Sequence, residues 1–185
     1  MDSVHSVPEF GGSEEAEMLV RTCMEPVIDR MRRKPPEVKE RVCAEITEGQ
    51  RAIFLFMMTA DHASASPTDY YCWLSHLIGE EDTWSAVKSS LAYVGAHAML
   101  QLWEETEALV LSRWQEAGLK LAASPDDLDG DRQLRMDIHR QYAAFTAELP
   151  RVFASLAAFV RERPGDFVPA DACHVTEQPR TNVTG

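Results

Sequence analysis

Apolar residues recur at intervals of three and four along most of this chain, and this spacing predicts helices rather than strands. The stretch from Ile53 to Met58 constrains the fold most, because it is apolar on nearly every side of the helix that it predicts. A helix of that kind has to be surrounded by other elements, so we expect it at the centre of the domain. Thr47 and Gln50 form the capping-box pattern that marks its start. The sequence therefore predicts an all-α fold without a sheet.

Helix starts and stops divide the chain into about seven helices. Ser66 followed by Pro67 is typical of a helix start, and Gly79 is typical of a helix end. The last helical region runs from about residue 132 to 163, and we expect Pro150 to interrupt it. These helices form a single compact domain.

Domain organisation follows from the composition of the two ends. Residues 1–12 and 169–185 are rich in Pro, Gly, Thr and other polar side chains, so we predict flexible tails there. The helical domain is predicted to span residues 13–168. With 185 residues in all, the chain is long enough for one domain with a real core.

Charge is distributed very unevenly. The chain carries a net charge of −12, and residues 44–131 alone hold fifteen acidic and four basic side chains. Such a field repels nucleic acid and membrane surfaces, and it attracts cationic partners. An acidic surface that serves only solvation is the simpler alternative. The acids concentrate in three groups, which we predict as a candidate partner-binding surface: Glu80, Glu81 and Asp82; Glu104, Glu105 and Glu107; and Asp126, Asp127, Asp129 and Asp131.

The third acidic group also has the alternate spacing of a calcium-binding loop. However, Arg132 stands where such a loop needs glycine, and Ile138 stands where it needs the closing glutamate. We therefore expect no metal there, and we predict a loop that leads into a helix start.

The four cysteines form no CxxC pair, so zinc and redox motifs lack support. No apolar run reaches the roughly 18–20 residues that span a bilayer. The first residues also lack the pattern of a secretory signal. We predict a cytoplasmic protein that does not engage a membrane.

Enzyme motifs are absent from the sequence: it has no GxSxG, no phosphate-binding loop and no dinucleotide-binding fingerprint. His62, His97 and His139 are predicted on different helices, so they could converge as a three-histidine metal site. No HxxxH or ExxH pair supports that site. We predict a protein without enzymatic activity or cofactor. A small helical-bundle enzyme or metal-binding protein that uses core histidines is the alternative.

The four tryptophans lie at helical spacing with other apolar residues. Trp73, Trp84 and Trp103 are predicted in the core. Trp114 lies near a helix end between Arg113 and a glutamine, so we predict that it is partly exposed and a candidate interface anchor.

Three segments carry a resemblance to a known family. They are the helix start at residues 47–53, the turn and flanking helices at residues 86–96, and the closing helix and tail at residues 145–149 and 159–167. Over roughly residues 46–167 the chain resembles the bacterial helical domain family typified by the acidic DNA-mimic protein nineteen. It departs from the family at residues 67–72, which read PTDYYC where the family usually has an NGGFxQ-type turn. We therefore infer from the family neither the local conformation of that turn nor any function that depends on it.

The resemblance implies an all-helical domain and, from the type member, DNA-like negative charge presented to a DNA-binding transcription factor. Together with the charge distribution, it predicts a non-enzymatic acidic interaction protein whose partner is a basic protein, without direct contact to nucleic acid. A toxin antagonist or scaffold protein with an apolar interface is the second alternative. Family membership alone does not establish function.

Overall fold

The computed structural model describes residues 12–120 and 122–167, which contain eight α-helices, one short 3-10 helix and no strand. The helices are α1 (Ser13–Met31), α2 (Pro36–Glu45), α3 (Glu48–Ala63), α4 (Pro67–Gly79), α5 (Glu81–Tyr93), α6 (His97–Ala117), α7 (Pro125–Gly130) and α8 (Arg132–Glu162), followed by the 3-10 turn Pro164–Asp166. The all-α prediction is confirmed. The predicted tails, apart from Gly12, lie outside the described residues.

The structure has one helix more than the roughly seven predicted, because the segment predicted as a loop forms α7. Ser124 and Asp127 build a capping box there: the Ser124 Oγ accepts from the Asp126 N–H at 3.3 Å, and the Asp127 carboxylate accepts from the Ser124 N–H at 2.9 Å. Pro125 occupies the first helical position, where its missing N–H costs nothing. The acids of this segment therefore belong to a short ordered helix.

Helix α3 is not surrounded on every side as its apolar character predicts, because Phe54, Leu55 and Met58 are only half-buried. It packs against α1, α4 and α5. Its start is the predicted capping box, in which the Thr47 Oγ1 accepts from the Gln50 N–H and the Gln50 side chain accepts from the Thr47 N–H, both at 3.1 Å. Ile53 and Phe56 are fully buried on the face that meets the other helices.

The core holds a cluster of aromatic rings contributed by four helices. The ring of Phe56 from α3 lies 6.2 Å from Trp103 of α6 and 5.7 Å from Phe153 of α8 between centroids. Trp84 of α5 lies 6.1 Å from Trp103. Aromatic rings bury large apolar areas at these spacings, so this cluster joins α3, α5, α6 and α8.

Helix α8 runs unbroken for 31 residues through Pro150, which corrects the predicted interruption. Pro150 is exposed, so water can bond the carbonyl that loses its helical N–H partner. Phe145 before the proline and Phe153 after it are both buried, and α8 packs along α1 on this face. Packing on both sides of the proline holds the helix continuous.

Helix α8 also meets the length and composition of a membrane span. Its most apolar 18-residue window has a mean hydropathy of 1.3, and 39% of that window is buried within the described part of the chain. Core helices of water-soluble proteins meet the same criterion, and α8 packs against α1, α4, α6 and α7. The match is therefore weak evidence for a membrane span.

Helices α5 and α6 are joined by a tight turn at Gly95, whose φ of +75° favours glycine. Helix α5 begins at Glu81, and its N-cap residue Glu80 makes no side-chain cap. The side chains of Glu80, Glu81 and Asp82 are all exposed.

Candidate functional site

The three acidic groups of the candidate surface all adjoin one stretch of α6. Lys88 of α5 reaches Glu107 of α6, with Nζ 2.8 Å from Oε2, and Arg113 of α6 reaches Asp127 of α7 at 3.3 Å. Glu80, at the start of α5, lines a cleft together with Trp114 of α6. Residues 104–114 cover about 15 Å at the helical rise of about 1.5 Å per residue. The fold therefore gathers the acids around a short segment, although they are far apart in sequence.

Six of the ten predicted carboxylates are free at the surface. Each is exposed, and its side chain makes no hydrogen bond or ion pair with any other described residue. These six, called the free acids below, are Glu80, Glu81 and Asp82 at the start of α5, Glu104 on α6, and Asp126 and Asp129 on α7.

The other four predicted site residues have structural roles. Glu107 and Asp127 are half-buried and form ion pairs with Lys88 and Arg113. Glu105 accepts from the side chains of Gln101 and Gln141, at 3.2 and 3.1 Å. Asp131 caps α8 by accepting from a backbone N–H at 3.0 Å. These contacts hold α5, α7 and α8 in place beside α6.

Asp127 is the centre of a half-buried polar network that sequence reasoning missed. Its Oδ2 accepts from the Tyr71 hydroxyl at 2.9 Å, and Arg113 contacts both groups. Burial raises the pKa of Asp127, but the hydrogen bond from Ser124 and the contacts with Arg113 and Tyr71 outweigh it and leave the pKa lowered. Burial, and then the hydrogen bond to Asp127, raise the pKa of Tyr71. Asp127 therefore stays charged and Tyr71 stays a neutral donor near neutral pH.

Each of the four basic side chains in residues 44–131 is engaged inside the fold. Lys88 and Arg113 form the two ion pairs given above. The Arg51 guanidinium donates to the Cys43 carbonyl at 2.7 Å, and the Lys120 ammonium donates to the Gly79 carbonyl. None of these four cations forms an ion pair with a free acid. The sequence gives the number of these cations, but it does not predict their contacts, because most of these contacts join residues far apart in the chain.

The outward side of α6 carries both charged and apolar residues. Glu104, Ala108, Leu111 and Gln115 follow one another at intervals of three and four, and all four are exposed. Leu111 keeps 44% of its surface accessible. A continuous row of carboxylates is therefore absent from this side of α6. Arg113, which reaches α7, lies nine residues from Glu104 and so points to the opposite side of the helix.

The histidines of the alternative metal site lie at the surface, not in the core. His62, His97 and His139 are all exposed. The Nδ1 of His62 lies 2.8 Å from the Met58 carbonyl, and its ring stacks on Trp73 with centroids 4.2 Å apart. Within residues 12–120 and 122–167, no group of three or more His, Cys, Asp or Glu side chains is placed to hold a metal ion. The described structure gives this alternative no support.

Two tryptophans fit the core prediction and two lie near the surface. Trp84 and Trp103 are buried, with 3% and 0% of their surface accessible. Trp73, also predicted in the core, is only half-buried, and the ring that stacks on it is that of exposed His62. Trp114 is partly exposed as predicted, and the Lys120 ammonium lies 5.7 Å from its ring centroid.

Comparisons with protein-family models, with curated proteins and with solved structures find no match to this chain. The resemblance to the acidic DNA-mimic family therefore stays a prediction from the quoted segments. A functional proposal for this protein therefore rests on the charges and contacts of its acidic surface.

Proposed function

We propose that this protein is a non-enzymatic acidic interaction protein that binds the basic face of a DNA-binding regulator and competes with DNA for it. One observation carries the proposal. The cations of residues 44–131 are all engaged internally, while six of the ten candidate carboxylates remain exposed and unpaired among the described residues. Uncompensated like charge disfavours the folded state, whereas a basic partner would neutralise it.

Electrostatic steering is the main physical effect expected of the free acids. Complementary charge raises the association rate and selects against partners of the same sign. Exposed charges are screened beyond roughly 8 Å at physiological ionic strength, so binding should weaken steeply with salt. The exposed Leu111, on the same side of α6 as Glu104, would add an apolar contact, which suits a protein partner better than a small ion.

The apolar alternative, a toxin antagonist or scaffold, would use other parts of the surface. The large hydrophobic side chains that are exposed among the described residues lie on α1, α5, α6, the segment after α6, and α8: Met18, Tyr93, Leu111, Leu119 and Met136. Apolar residues that occur singly on different elements are normal for a protein surface. The charged surface therefore carries the stronger functional proposal.

A capture experiment tests the proposal directly. The protein is immobilised and exposed to native cell lysate at about 50 and about 300 mM salt, which changes the screening length of surface charges roughly two- to threefold. Captured proteins are identified by mass spectrometry, and duplex DNA is then added as a competitor.

We expect a DNA-binding protein that is retained at the lower salt concentration and displaced by the duplex. Retention that is indifferent to salt and duplex would contradict the proposal and favour the apolar alternative. If no basic protein is retained, the acidic surface serves solvation alone.

A further inference from the structure

The C-terminal end of α4, Trp114 of α6 and the segment after α6 line an open cleft of about 350 Å³. Gly79, the last residue of α4, lies on one side, and the partly exposed ring of Trp114 lies on the other. Glu80 lines the same cleft, and its carboxylate has no ion-pair partner in the described part of the chain. These three groups share one property, which is that each attracts a cation.

Each of these groups attracts a cation for a different reason. The end of a helix carries partial negative charge on its unpaired carbonyl groups. The face of an indole ring is negative because of its quadrupole. A carboxylate adds a full negative charge. The cleft therefore combines a dipole, a ring face and a charge around one small space.

The chain's own Lys120 lies in this cleft. Its ammonium donates to the Gly79 carbonyl and lies 5.7 Å from the Trp114 ring centroid. The missing side chain of Gly79 makes this approach possible, since a Cβ there would lie 2.6 Å from the Lys120 Cε and 2.8 Å from its Nζ. The side chain of Lys120 is exposed, and it forms no ion pair with a carboxylate of residues 12–120 or 122–167. A lysine held by one carbonyl and one ring face at the surface can be displaced by another cation.

We propose that this cleft receives a lysine or arginine side chain of the basic partner, and that Lys120 occupies it until the partner arrives. The inference rests on the proposed function, because it names the place where the acidic surface anchors its partner. Lysine and arginine are the side chains whose cationic ends can reach a helix C-terminus while their stems pack on an indole ring. Lys120 then acts as an internal competitor that lowers the apparent affinity for the partner.

A small probe tests the cleft without any partner. The probe is n-butylammonium, which has the stem and charge of a lysine side chain, and n-butanol is its neutral control. Titrations are followed by ¹H–¹⁵N correlation spectra of wild type and Lys120→Ala, with the Gly79 amide and the Trp114 indole as reporters. Removal of a tethered competitor should tighten binding severalfold, since a tethered group acts at an effective concentration of about millimolar.

We expect n-butylammonium to shift both reporters in Lys120→Ala at several-fold lower concentration than in wild type, and n-butanol to leave them unchanged. Adding Gly79→Ala to Lys120→Ala should abolish the shift, because the new Cβ fills the position of the ammonium. This alanine meets only the flexible end of Lys120 below 3.0 Å, so the variant should fold. Unchanged reporters in Lys120→Ala, or equal shifts in both proteins, would overturn the inference.

The partner captured in the lysate experiment gives a second test. Lys120→Ala should bind it severalfold more tightly than Lys39→Ala, an exposed lysine on α2 whose loss changes the net charge equally. If the two substitutions change the affinity for the partner equally, Lys120 acts only through its charge, and the inference is overturned. Failure of the proposed function would instead appear as a lack of any captured, duplex-sensitive partner, whereas the n-butylammonium titration is independent of that result.

Discussion

Arg113 and Asp127 form an ion pair that connects helices α6 and α7. The Nη1 of Arg113 on α6 lies 3.3 Å from the Oδ2 of Asp127 on α7. Both side chains are largely withdrawn from water, with 22% and 25% of their surface accessible. The same Oδ2 accepts hydrogen bonds from Tyr71 on α4 and from the backbone of Ser124. This pair therefore fixes the position of the free acids on α7 relative to α6.

Asp127→Asn should destabilise the protein. The substitution removes the charge that Arg113 and Tyr71 face, and loss of a charged hydrogen-bond partner in a half-buried network costs about 1–3 kcal/mol. Urea unfolding followed by far-UV circular dichroism measures the change. Asp126→Asn, an exposed neighbour whose side chain contacts no described partner, is the control and should change stability by less than about 0.5 kcal/mol. Equal losses in both variants would contradict the role of the network.

Acid should weaken the contribution of Asp127. Its pKa is lowered in the folded state, so the carboxylate contributes stability that is complete above its unfolded pKa of about 4 and is lost as the pH falls through the folded value. The stability difference between wild type and Asp127→Asn should therefore be larger at neutral pH than at about pH 3. Urea titrations at both pH values provide the comparison. A difference that is the same at both would contradict the lowered pKa.

Gly49→Ala should destabilise the start of α3. A Cβ at Gly49 would lie 3.0 Å from the Phe159 ring and 3.4 Å from the Phe167 ring, and both rings are buried. Overpacking of this kind costs about 1–3 kcal/mol. Gly130→Ala, where a Cβ meets no described atom within 4 Å, is the control and should be nearly neutral in thermal unfolding. A neutral Gly49→Ala would contradict an overpacking cost larger than the gain of up to about 1 kcal/mol that alanine brings to a helix.

Tyr70→Phe should lose a buried hydrogen bond. The Tyr70 hydroxyl lies 2.8 Å from the Thr106 Oγ1, and both residues have no accessible surface. Removal of one partner leaves the other polar group less satisfied, which costs about 1 kcal/mol or more. Tyr93→Phe, at a position with 43% of its surface accessible, is the matched control and should leave the unfolding midpoint in urea nearly unchanged. Equal midpoints for the two variants would contradict a stabilising role of the buried bond.

Local signals in the sequence predicted much of the fold. The capping pattern at Thr47 and the Ser66–Pro67 start act within one helical turn, and both appear in the structure, the latter with the Ser66 Oγ accepting from the Asp69 N–H at 3.1 Å. Pro150 was misjudged because the cost of a proline depends on tertiary packing on both sides of it, which no local pattern reveals. The helix α7 was missed because its six residues are too few to show periodicity.

The candidate surface could be predicted in composition but not in arrangement. The count of acids marked three candidate segments, yet it could not separate exposed Glu104 from half-buried Glu107, three residues later on the same helix. That distinction depends on Lys88, which reaches Glu107 from another helix. The contact of Lys120 with Gly79 spans 41 residues and likewise leaves no mark in a local pattern.

The proposed binding depends on the free acids rather than on net charge, and paired variants separate the two effects. The test variant is Glu80→Gln, Glu81→Gln, Asp82→Asn and Glu104→Gln together. The control is Glu14→Gln, Glu15→Gln, Glu25→Gln and Glu37→Gln together, which removes four exposed charges from α1 and α2.

The decisive measurement is the concentration of each protein that displaces half of a labelled DNA duplex from the captured regulator. We expect the half-displacing concentration of the test variant to be about tenfold higher than that of wild type, equivalent to about 1.4 kcal/mol of binding free energy. We expect the control to stay within about twofold of wild type, as is usual for charges remote from the interface. Equal losses in the two variants would contradict a dependence on the free acids, because net charge alone would then explain the competition.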